Sequence, residues 1–409
     1  MNHNGLMEDP RNFSEVCIDA MSALVSHGHS FDNARLLAYY PAIRQNPFQK
    51  MLYASAFENG FAVTPLPSLD AVDALSDRMQ ITLHYHWIHD VFKRLGKARE
   101  AKKAAKGFIE QVHRQREAGH KILWTIHNVL SHSATFIDEE VFLRQEMAKL
   151  SDMIHIMNPE TPKLVKGHYE LSSDKIIHIP HPSYTNVYGD YISRAQARLE
   201  LGLNEDNVAF LCFGSLVPYK GTRFFIQVLD RLQERFEGRA RLIIAGSKGK
   251  ADFMEELYRI ISGRSDIILY ADHVDDQALQ VFFRATDVVA CPYPVSLNSG
   301  VAMTAATFGK PMIVPEMLLP SFNTLPIGAT SFTPNDLESC VHAANEAANI
   351  ALGKADADGG VPDITAWAAA RDSLTVSKDF FRALRAFRGE GTGDIAPNGF
   401  QADFAGAGA

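Results

Sequence analysis

The sequence predicts an α/β protein built from two doubly wound, Rossmann-like domains with a cleft between them. Three observations predict it. The chain has 409 residues, more than one ordinary hydrophobic core accommodates. Short apolar runs alternate with amphipathic helical stretches almost throughout, and that alternation implies parallel sheets covered on both faces. The alternation also comes in two series. They are separated after Ile179 by "PHPSYTNVYGDYISRAQARLELGL", where proline and tyrosine cluster before a fresh helix and a new strand.

In the first series the expected strands are Arg35–Tyr40, Phe61–Thr64, Gln80–His84, Lys121–Ile126, Asp152–Met157 and Lys175–Ile179. Helical patterns such as Pro47–Asn59 and Glu139–Leu150 lie between them. In the second series the strands are Val208–Phe213, Arg241–Ala245, Asp266–Tyr270, Asp287–Cys291 and Pro311–Val314. The helices there are Gly221–Phe236, Ala251–Ser262, Asp276–Ala285 and Gly300–Phe308. These runs set a first domain over 1–185, a second over 186–362, a C-terminal helix over 363–388 and a tail over 389–409. The last helix, Thr365–Phe387, carries Trp367, Phe380, Phe381, Leu384 and Phe387 on an apolar stripe that must dock. It either completes the second domain or crosses back onto the first, and periodicity leaves both open. The tail is rich in glycine and small residues and is expected to be disordered.

Composition narrows the function. Hydrophobic residues make up 46% and charged residues 22%, with a net charge of −8, so nucleic-acid binding is not a property of the whole chain. The four cysteines lack metal-site spacing, and Cys212 and Cys291, in apolar strand-like runs, read as buried thiols of a reducing cytosol. The polar, acidic N-terminus is not a signal peptide, and no apolar run approaches the ~20 residues of a membrane span. A cytoplasmic protein is expected, with peripheral attachment to the inner face of the cell membrane as one option.

In open parallel sheets, ligands bind beyond the carboxyl ends of the strands. The unusual polar residues of this chain recur there. One strand is followed by His84, His86 and Asp90, another by His127, Asn128 and His132, and the last of the first series by His181. In the second series, Gly214-Ser215 and then Tyr219-Lys220-Gly221 follow the first strand. After Cys291 comes "PYPVSLNSGVAMTAATFGKPMIV", in which Ser299-Gly300-Val301 opens a helix. A helix start offers unpaired amides and a positive dipole end, and Gly300 lets an anion approach the backbone. Lys220 supplies a full charge to the same anion. A phosphate is the expected occupant.

Four ordered segments carry a resemblance: "FGSLVPYKG", "IIAGSKGK", "ATDVVACPY" and "SGVAMTAATFGKPMIV". Together they resemble the donor domain of GT-B glycosyltransferases. In the first half, "NPFQKMLYASAFENGFAV", "LHYHWIH", "WTIHN" and "IPHPSY" resemble the acceptor domain of bacterial polysaccharide (family-4-like) glycosyltransferases of that fold. The resemblance spans roughly residues 35–387 by element order. It implies a nucleoside-diphosphate sugar, UDP- or GDP-linked, as donor substrate and no other cofactor. Gly214, Ser215, Lys220, Ser299, Gly300 and Val301 would hold the diphosphate, with Tyr270 and His273 in the region of the base. His84, His86, Asp90, Asn128 and His181 would line the acceptor side of the cleft. No metal ligands are expected, since a lysine and a helix terminus replace the cation.

Two departures matter. Retaining members of such families carry two glutamates where this chain has Ser296 and Thr304, and an arginine where it has Ser215 or Val217. Inversion then needs a general base from the first half. The candidates are His127, His132, Asp90, Asp138, Glu139 and Glu140, with the group His127, His132 and Asp138 preferred. A non-catalytic glycosyltransferase-like subunit, a sugar phosphorylase and a sugar-nucleotide epimerase are the rival expectations. Finally, residues 92–116 carry nine lysines and arginines against Glu100 and Glu110, together with apolar residues such as Phe108, Ile109 and Val112. That composition suits contact with an anionic membrane, or a solvated helix face. The expected partners are thus a nucleotide-sugar and a saccharide or glycolipid acceptor.

Overall fold

The computed structural model describes residues 12–30, 35–43, 46–75, 79–132, 134–322, 328–354 and 363–388. The tail from residue 389 onward and Ser133 lie outside the described residues. The first sheet holds β1 (Arg35–Tyr40), β2 (Phe61–Pro65), β3 (Thr82–Tyr85), β4 (Lys121–Ile126), β5 (Met153–Ile156) and β6 (Ile176–His178). The second holds β7 (Val208–Phe213), β8 (Ala240–Ala245), β9 (Ile267–Tyr270), β10 (Val288–Ala290), β11 (Met312–Pro315) and β12 (Ala329–Phe332). All pairings are parallel. The orders are β2-β1-β3-β4-β5-β6 and β12-β11-β10-β7-β8-β9. The fold class expected from the alternation is therefore the observed one. Strand order reverses between β1 and β3 in the first sheet and between β7 and β10 in the second. Each reversal opens a crevice at the carboxyl ends of the strands.

The helices of the first half are α1 (Phe13–Ser26), α2 (Phe48–Leu52), α3 (Ala98–Glu117), α4 (Ile137–Leu150) and α5 (Thr161–Val165). Those of the second are α6 (Arg194–Glu200), α7 (Thr222–Arg235), α8 (Ala251–Ile261), α9 (Leu279–Ala285), α10 (Gly300–Thr307) and α11 (Leu337–Ala351). α12 (Ile364–Ala369) and α13 (Ser373–Phe387) close the described chain. α1, β12 and α11 were not among the expected elements. α1 begins with a full capping box, Asn12 on the Glu15 amide and Glu15 back on Asn12. The expected Pro47–Asn59 helix is interrupted: α2 stops at Leu52 and a separate 3-10 turn covers Phe57–Asn59.

The late helix is two helices, which resolves its docking. Asp372 caps α13 by accepting from the Thr375 amide at 2.7 Å, so the chain turns at that point. On one side of the turn, Ile364, Trp367 and Ala368 complete the apolar layer of the second half. On the other, Val376, Phe380, Phe381 and Leu384 pack with Leu37, Phe48, Leu52, Tyr53 and Phe61 of the first half. Burying Phe380 and Phe381 contributes roughly 2–3 kcal/mol each. The Ser377 hydroxyl also accepts from the Ser55 amide at 2.9 Å. α13 is thus a strap from the second half across the first.

The basic stretch forms α3. Its apolar residues Phe108, Ile109 and Val112 are buried in the first core, while the lysines and arginines of 93–116 are exposed. What α3 presents outward is charge and not an apolar stripe. Among the described residues, no helix is long and apolar enough to cross a membrane.

Candidate functional site

The two crevices face each other. The loop between β10 and α10 reaches into the first half, where Leu297 joins its apolar core. Asn158 Nδ2 donates to the Leu297 carbonyl at 3.2 Å and to the Met317 carbonyl at 2.8 Å. Asn298 Nδ2 donates to the His127 carbonyl at 3.1 Å. The His132 ring stacks on Tyr219 at 4.1 Å and 6°. These contacts set His127 and His132 against the Lys220 turn and the start of α10.

In the second half, the turn after β7 is shaped by glycine. Gly214 has φ +107 and Gly221 has φ +69, both in the left-handed region. A Cβ on Gly221 would lie 1.9 Å from the Pro292 carbonyl oxygen, so this turn packs directly on the segment after β10. That contact carries Lys220 over the Tyr293 ring, with Nζ 4.4 Å from the centroid and 3.3 Å from the hydroxyl. Lys220 forms no ion pair among the described residues. Burial lowers its pKa, opposed by the nearby Cys291 and Cys212 thiols. A side chain at Gly214 would meet Lys220 Nζ at 3.8 Å and Val301 Cγ2 at 4.0 Å, so these three expected site residues converge.

α10 starts beside them. Ser299 Oγ accepts from the Ala302 amide at 3.2 Å, and the amides of Gly300 and Val301 make no hydrogen bond among the described residues. Tyr184 Oη stands 2.7 Å from where a Gly300 Cβ would sit. The missing side chain therefore makes room for Tyr184, and an anion would meet the amides and not that side of the glycine. Gly300→Ala is expected to destabilise by about 1–3 kcal/mol through overpacking. Tyr184→Phe in the same chain should recover most of it, because the next ring atom is 3.7 Å away. Urea unfolding of the four proteins of the cycle checks this. Ser215 is exposed beyond Gly214, and Tyr270 and His273 are exposed at the carboxyl end of β9, with Tyr270 packed on Phe282 at 5.2 Å. A separate cavity of about 310 Å³ lies behind the turn, lined in part by Arg223, Phe224, Gln227 and Asn335. Neither Lys220 nor α10 lines it, so it is not this site.

The positions of the missing glutamates hold buried hydroxyls that are already engaged. Ser296 Oγ donates to the Asn298 carbonyl at 2.8 Å, and Thr304 Oγ1 to the Gly300 carbonyl at 2.9 Å.

The first half contributes histidines of two kinds. His84 and His86 are buried and do not front the cleft. His86 Nδ1 meets His127 Nε2 at 3.1 Å, while Tyr53 Oη lies 2.7 Å from His84 Nδ1 and 2.8 Å from His86 Nε2. His127 is partly exposed, and its ring stacks on Trp87 at 4.0 Å. Burial first, and neighbouring imidazoles second, hold His84, His86 and His127 well below the ordinary histidine pKa. Burial alone lowers His181 to about 4, against the opposing pull of the Pro182 carbonyl, to which its Nδ1 donates at 2.7 Å. His132 is exposed at its outer edge, but desolvation of the ring face stacked on Tyr219, and then the charge on Lys220, lower it to about 4.

The carboxylates stand elsewhere. Glu140 accepts from the Ser131 amide and from Arg144 Nη2 at 2.7 Å. Burial raises its pKa, but Arg144 and Ser131 outweigh that and leave it lowered, and both its oxygens already accept hydrogen bonds from them. Asn128 gives its carbonyl to Arg144 Nη1 at 3.0 Å. Asp90 pairs with Lys93. Asp138 is exposed in the first turn of α4, where it suits the helix dipole, and no contact ties it to the cleft among the described residues. Of the preferred base group, the structure brings His127 and His132 to the junction and leaves Asp138 on the helix surface. Tyr53, Thr125 and His155, none of them singled out from the sequence, connect to His127 through its buried neighbours. Among the described residues, no group of three or more His, Cys, Asp or Glu is arranged to hold a metal ion.

Comparison with known proteins agrees with this geometry. The family model described as glycosyl transferases group 1 matches residues 207–344, the span that holds Gly214, Lys220 and α10. That span is similar to glycosyl transferases of group 1. Among relatives of the chain, D-inositol 3-phosphate glycosyltransferase of Corynebacterium glutamicum is 29% identical over 180 residues, 41% of this chain and 42% of its own. The uncharacterized glycosyltransferase MJ1607 of Methanocaldococcus jannaschii is 28% identical over 117 residues, 29% of each chain. These matches span less than half the length of either relative. Solved structures cover more. Anabaena Alr3699/HepE, in complex with UDP and glucose, superposes with a TM-score of 0.61 at 14% identity, over 86% of this chain and 100% of its own. Sucrose-phosphate synthase of Thermosynechococcus elongatus gives a TM-score of 0.66 at 14% identity, over 87% and 100%. The two halves of the chain together therefore have the GT-B fold.

Proposed function

We propose that the protein transfers a hexose from a UDP- or GDP-linked sugar to a saccharide or lipid-linked saccharide acceptor, in surface polysaccharide or glycolipid synthesis. The observation that carries this reading is Lys220: a largely buried cation with no carboxylate partner among the described residues, converging with Gly214 and Val301 at the strand-order reversal of the second sheet. A buried charge is costly unless something pairs it. A diphosphate held by Lys220 and the amides of Gly300 and Val301 supplies the missing partner, with no metal ion needed to balance the leaving group.

The chemistry follows from what faces that anion. The acceptor hydroxyl oxygen attacks the anomeric carbon, the bond from that carbon to the diphosphate oxygen breaks, and its electron pair stays on the phosphate. Lys220 and the α10 amides stabilise the charge that develops there. His127, neutral at pH 7, takes the hydroxyl proton on Nδ1. With hydroxyls at Ser296 and Thr304, direct displacement with inversion is favoured over a route through a carboxylate. The exposed basic face of α3 supports electrostatic contact with anionic lipid headgroups when the acceptor is lipid-linked.

Thermal unfolding against UDP, GDP, ADP, dTDP and inorganic phosphate, with and without chelator, tests the donor site. A ligand at a hundred times its Kd adds about 2.7 kcal/mol of stability. A selective shift with UDP or GDP, unchanged by chelator, is expected. UDP comes first because the Anabaena neighbour was solved with it. A shift with phosphate alone would replace this reading with a phosphorylase.

A further inference from the structure

A line of polar side chains runs across the middle of the first sheet, on strands whose neighbours are otherwise apolar. The Ile179 carbonyl, just past β6, lies 2.9 Å from His155 Nε2 on β5. His155 Nδ1 lies 2.9 Å from Thr125 Oγ1 on β4, its direct register partner. Thr125 Oγ1 lies 2.6 Å from His84 Nε2 on β3. From His84 the line passes through Tyr53 to His86 and His127, by the contacts given above. Phe380 of α13 roofs it, stacked on His84 at 5.5 Å and 14°. His84, His86, Thr125 and His155 are each at most 1% exposed, so the C-terminal strap keeps water from the line.

The partners fix the direction of every hydrogen bond. A carbonyl can only accept, so His155 carries its proton on Nε2 and presents a bare Nδ1. Thr125 must then donate to His155 and accept from His84 Nε2. That leaves His84 Nδ1 bare, so the Tyr53 hydroxyl donates to it and accepts from His86 Nε2. His86 Nδ1 is bare in turn and accepts from His127 Nε2. We propose that this line is a positioning relay, anchored at the Ile179 carbonyl, that holds His127 in the tautomer with Nδ1 bare and ready to take the acceptor proton. Nδ1 of His127 has no hydrogen-bond partner among the described residues. Burial keeps the imidazoles of the line neutral, which the directional chain requires.

A polar thread serving stability alone has no reason to end at a partly exposed imidazole on the junction of two domains. Apolar strand residues would fill the sheet at lower desolvation cost. Thr125 touches no substrate. It is a positioning residue, as are His155, His84, Tyr53 and His86.

The inference rests on His127 as the base, and the test separates the two. The full chain, labelled with ¹⁵N-histidine, is observed by long-range ¹H–¹⁵N NMR, with His127→Gln assigning the resonance. In the native protein His127 is expected to carry its proton on Nε2. Thr125→Val removes the hydroxyl but not the volume, and a bare His84 Nε2 against a methyl is cheaper than a stranded N–H. The line from His84 outward then reverses, and His127 shifts to the Nδ1–H form. Transfer should fall about fivefold or more in kcat with KM unchanged. Thr125→Ser should restore both readouts. Tyr53→Phe, which cuts the line at another point, should reproduce the tautomer shift and covers the case in which Thr125→Val does not fold. A native His127 protonated on Nδ1, or a tautomer unmoved in the folded variants, overturns the relay. If the tautomer behaves as stated but transfer is not detected, the relay stands and the proposed function fails.

Discussion

Lys220→Ala is expected to lower kcat/KM for the nucleotide-sugar by roughly 10²–10³-fold, the loss that follows removal of one member of a desolvated charge pair. The same substitution should leave the ligand-free protein as stable as before, or more so. Among the described residues Lys220 has no carboxylate to strand, and its ammonium rests on Tyr293 in a site that lowers its pKa by burial. Removing an uncompensated buried charge relieves a desolvation cost. A lysine present for packing would give the opposite pattern, with stability lost and activity kept. Steady-state kinetics and thermal unfolding on one preparation separate them. Lys220→Arg should recover little, because a guanidinium fork is wider than an ammonium and the turn is pinned on Pro292 by Gly221.

Acid is expected to unfold the protein at a pH where most carboxylates are still ionised. His155 and His181 have folded pKa values of about 4, lowered chiefly by burial from an ordinary 6.5. Below pH 6.5 the unfolded chain binds protons on these imidazoles and the folded chain does not. Stability is therefore full above pH 6.5 and falls as pH drops through the window from 6.5 to 4. Each of the two contributes roughly 3 kcal/mol across that window. His84, His86 and His127 add to it in the same direction. Since a domain's whole stability is about 5–15 kcal/mol, the loss is decisive. Tm measured at pH 7.5, 6.5, 5.5 and 4.5 should be level between the first two and then fall steeply. A flat profile to pH 4.5 would show that these histidines are solvated or paired with acids.

The features read from the sequence are those carried by local pattern. A strand such as β7 is a continuous apolar run because helices cover both faces, and β8 is one but for Arg241; such runs stand out from amphipathic neighbours. The short β12, "ATSF", alternates buried and partly buried residues over four positions and offers too little contrast. α11 is alanine-rich, and its start is marked by the Asp336 cap on the Ser339 amide, a signal present in the sequence. The division of the late helix depends on Asp372 acting as a cap, which a continuous apolar stripe conceals.

The site divides the same way. Gly214, Lys220 and Val301 were legible because strand ends in a parallel sheet converge, so residues distant in sequence share a crevice. What the missing side chain of Gly300 makes room for was not legible, since Tyr184, which occupies that space, is more than a hundred residues away in the chain. Tyr53, Thr125 and His155 were invisible as site residues. Thr125 and His155 sit within apolar strands and Tyr53 in a helical stretch, and only the stacking of β3, β4 and β5 puts them in line. The available signal was a histidine inside "DMIHIM" and a threonine inside "ILWTI", polar side chains where a core strand has no use for them unless something accepts their hydrogen bonds.

The most direct test of the central claim is calorimetric titration of UDP and of GDP into the native protein and into Lys220→Ala, with chelator present. The account predicts that one nucleoside diphosphate binds the native protein at a single site and that its affinity falls at least tenfold in the variant. Equal affinity in both proteins, or binding of neither nucleotide to the native one, would contradict it.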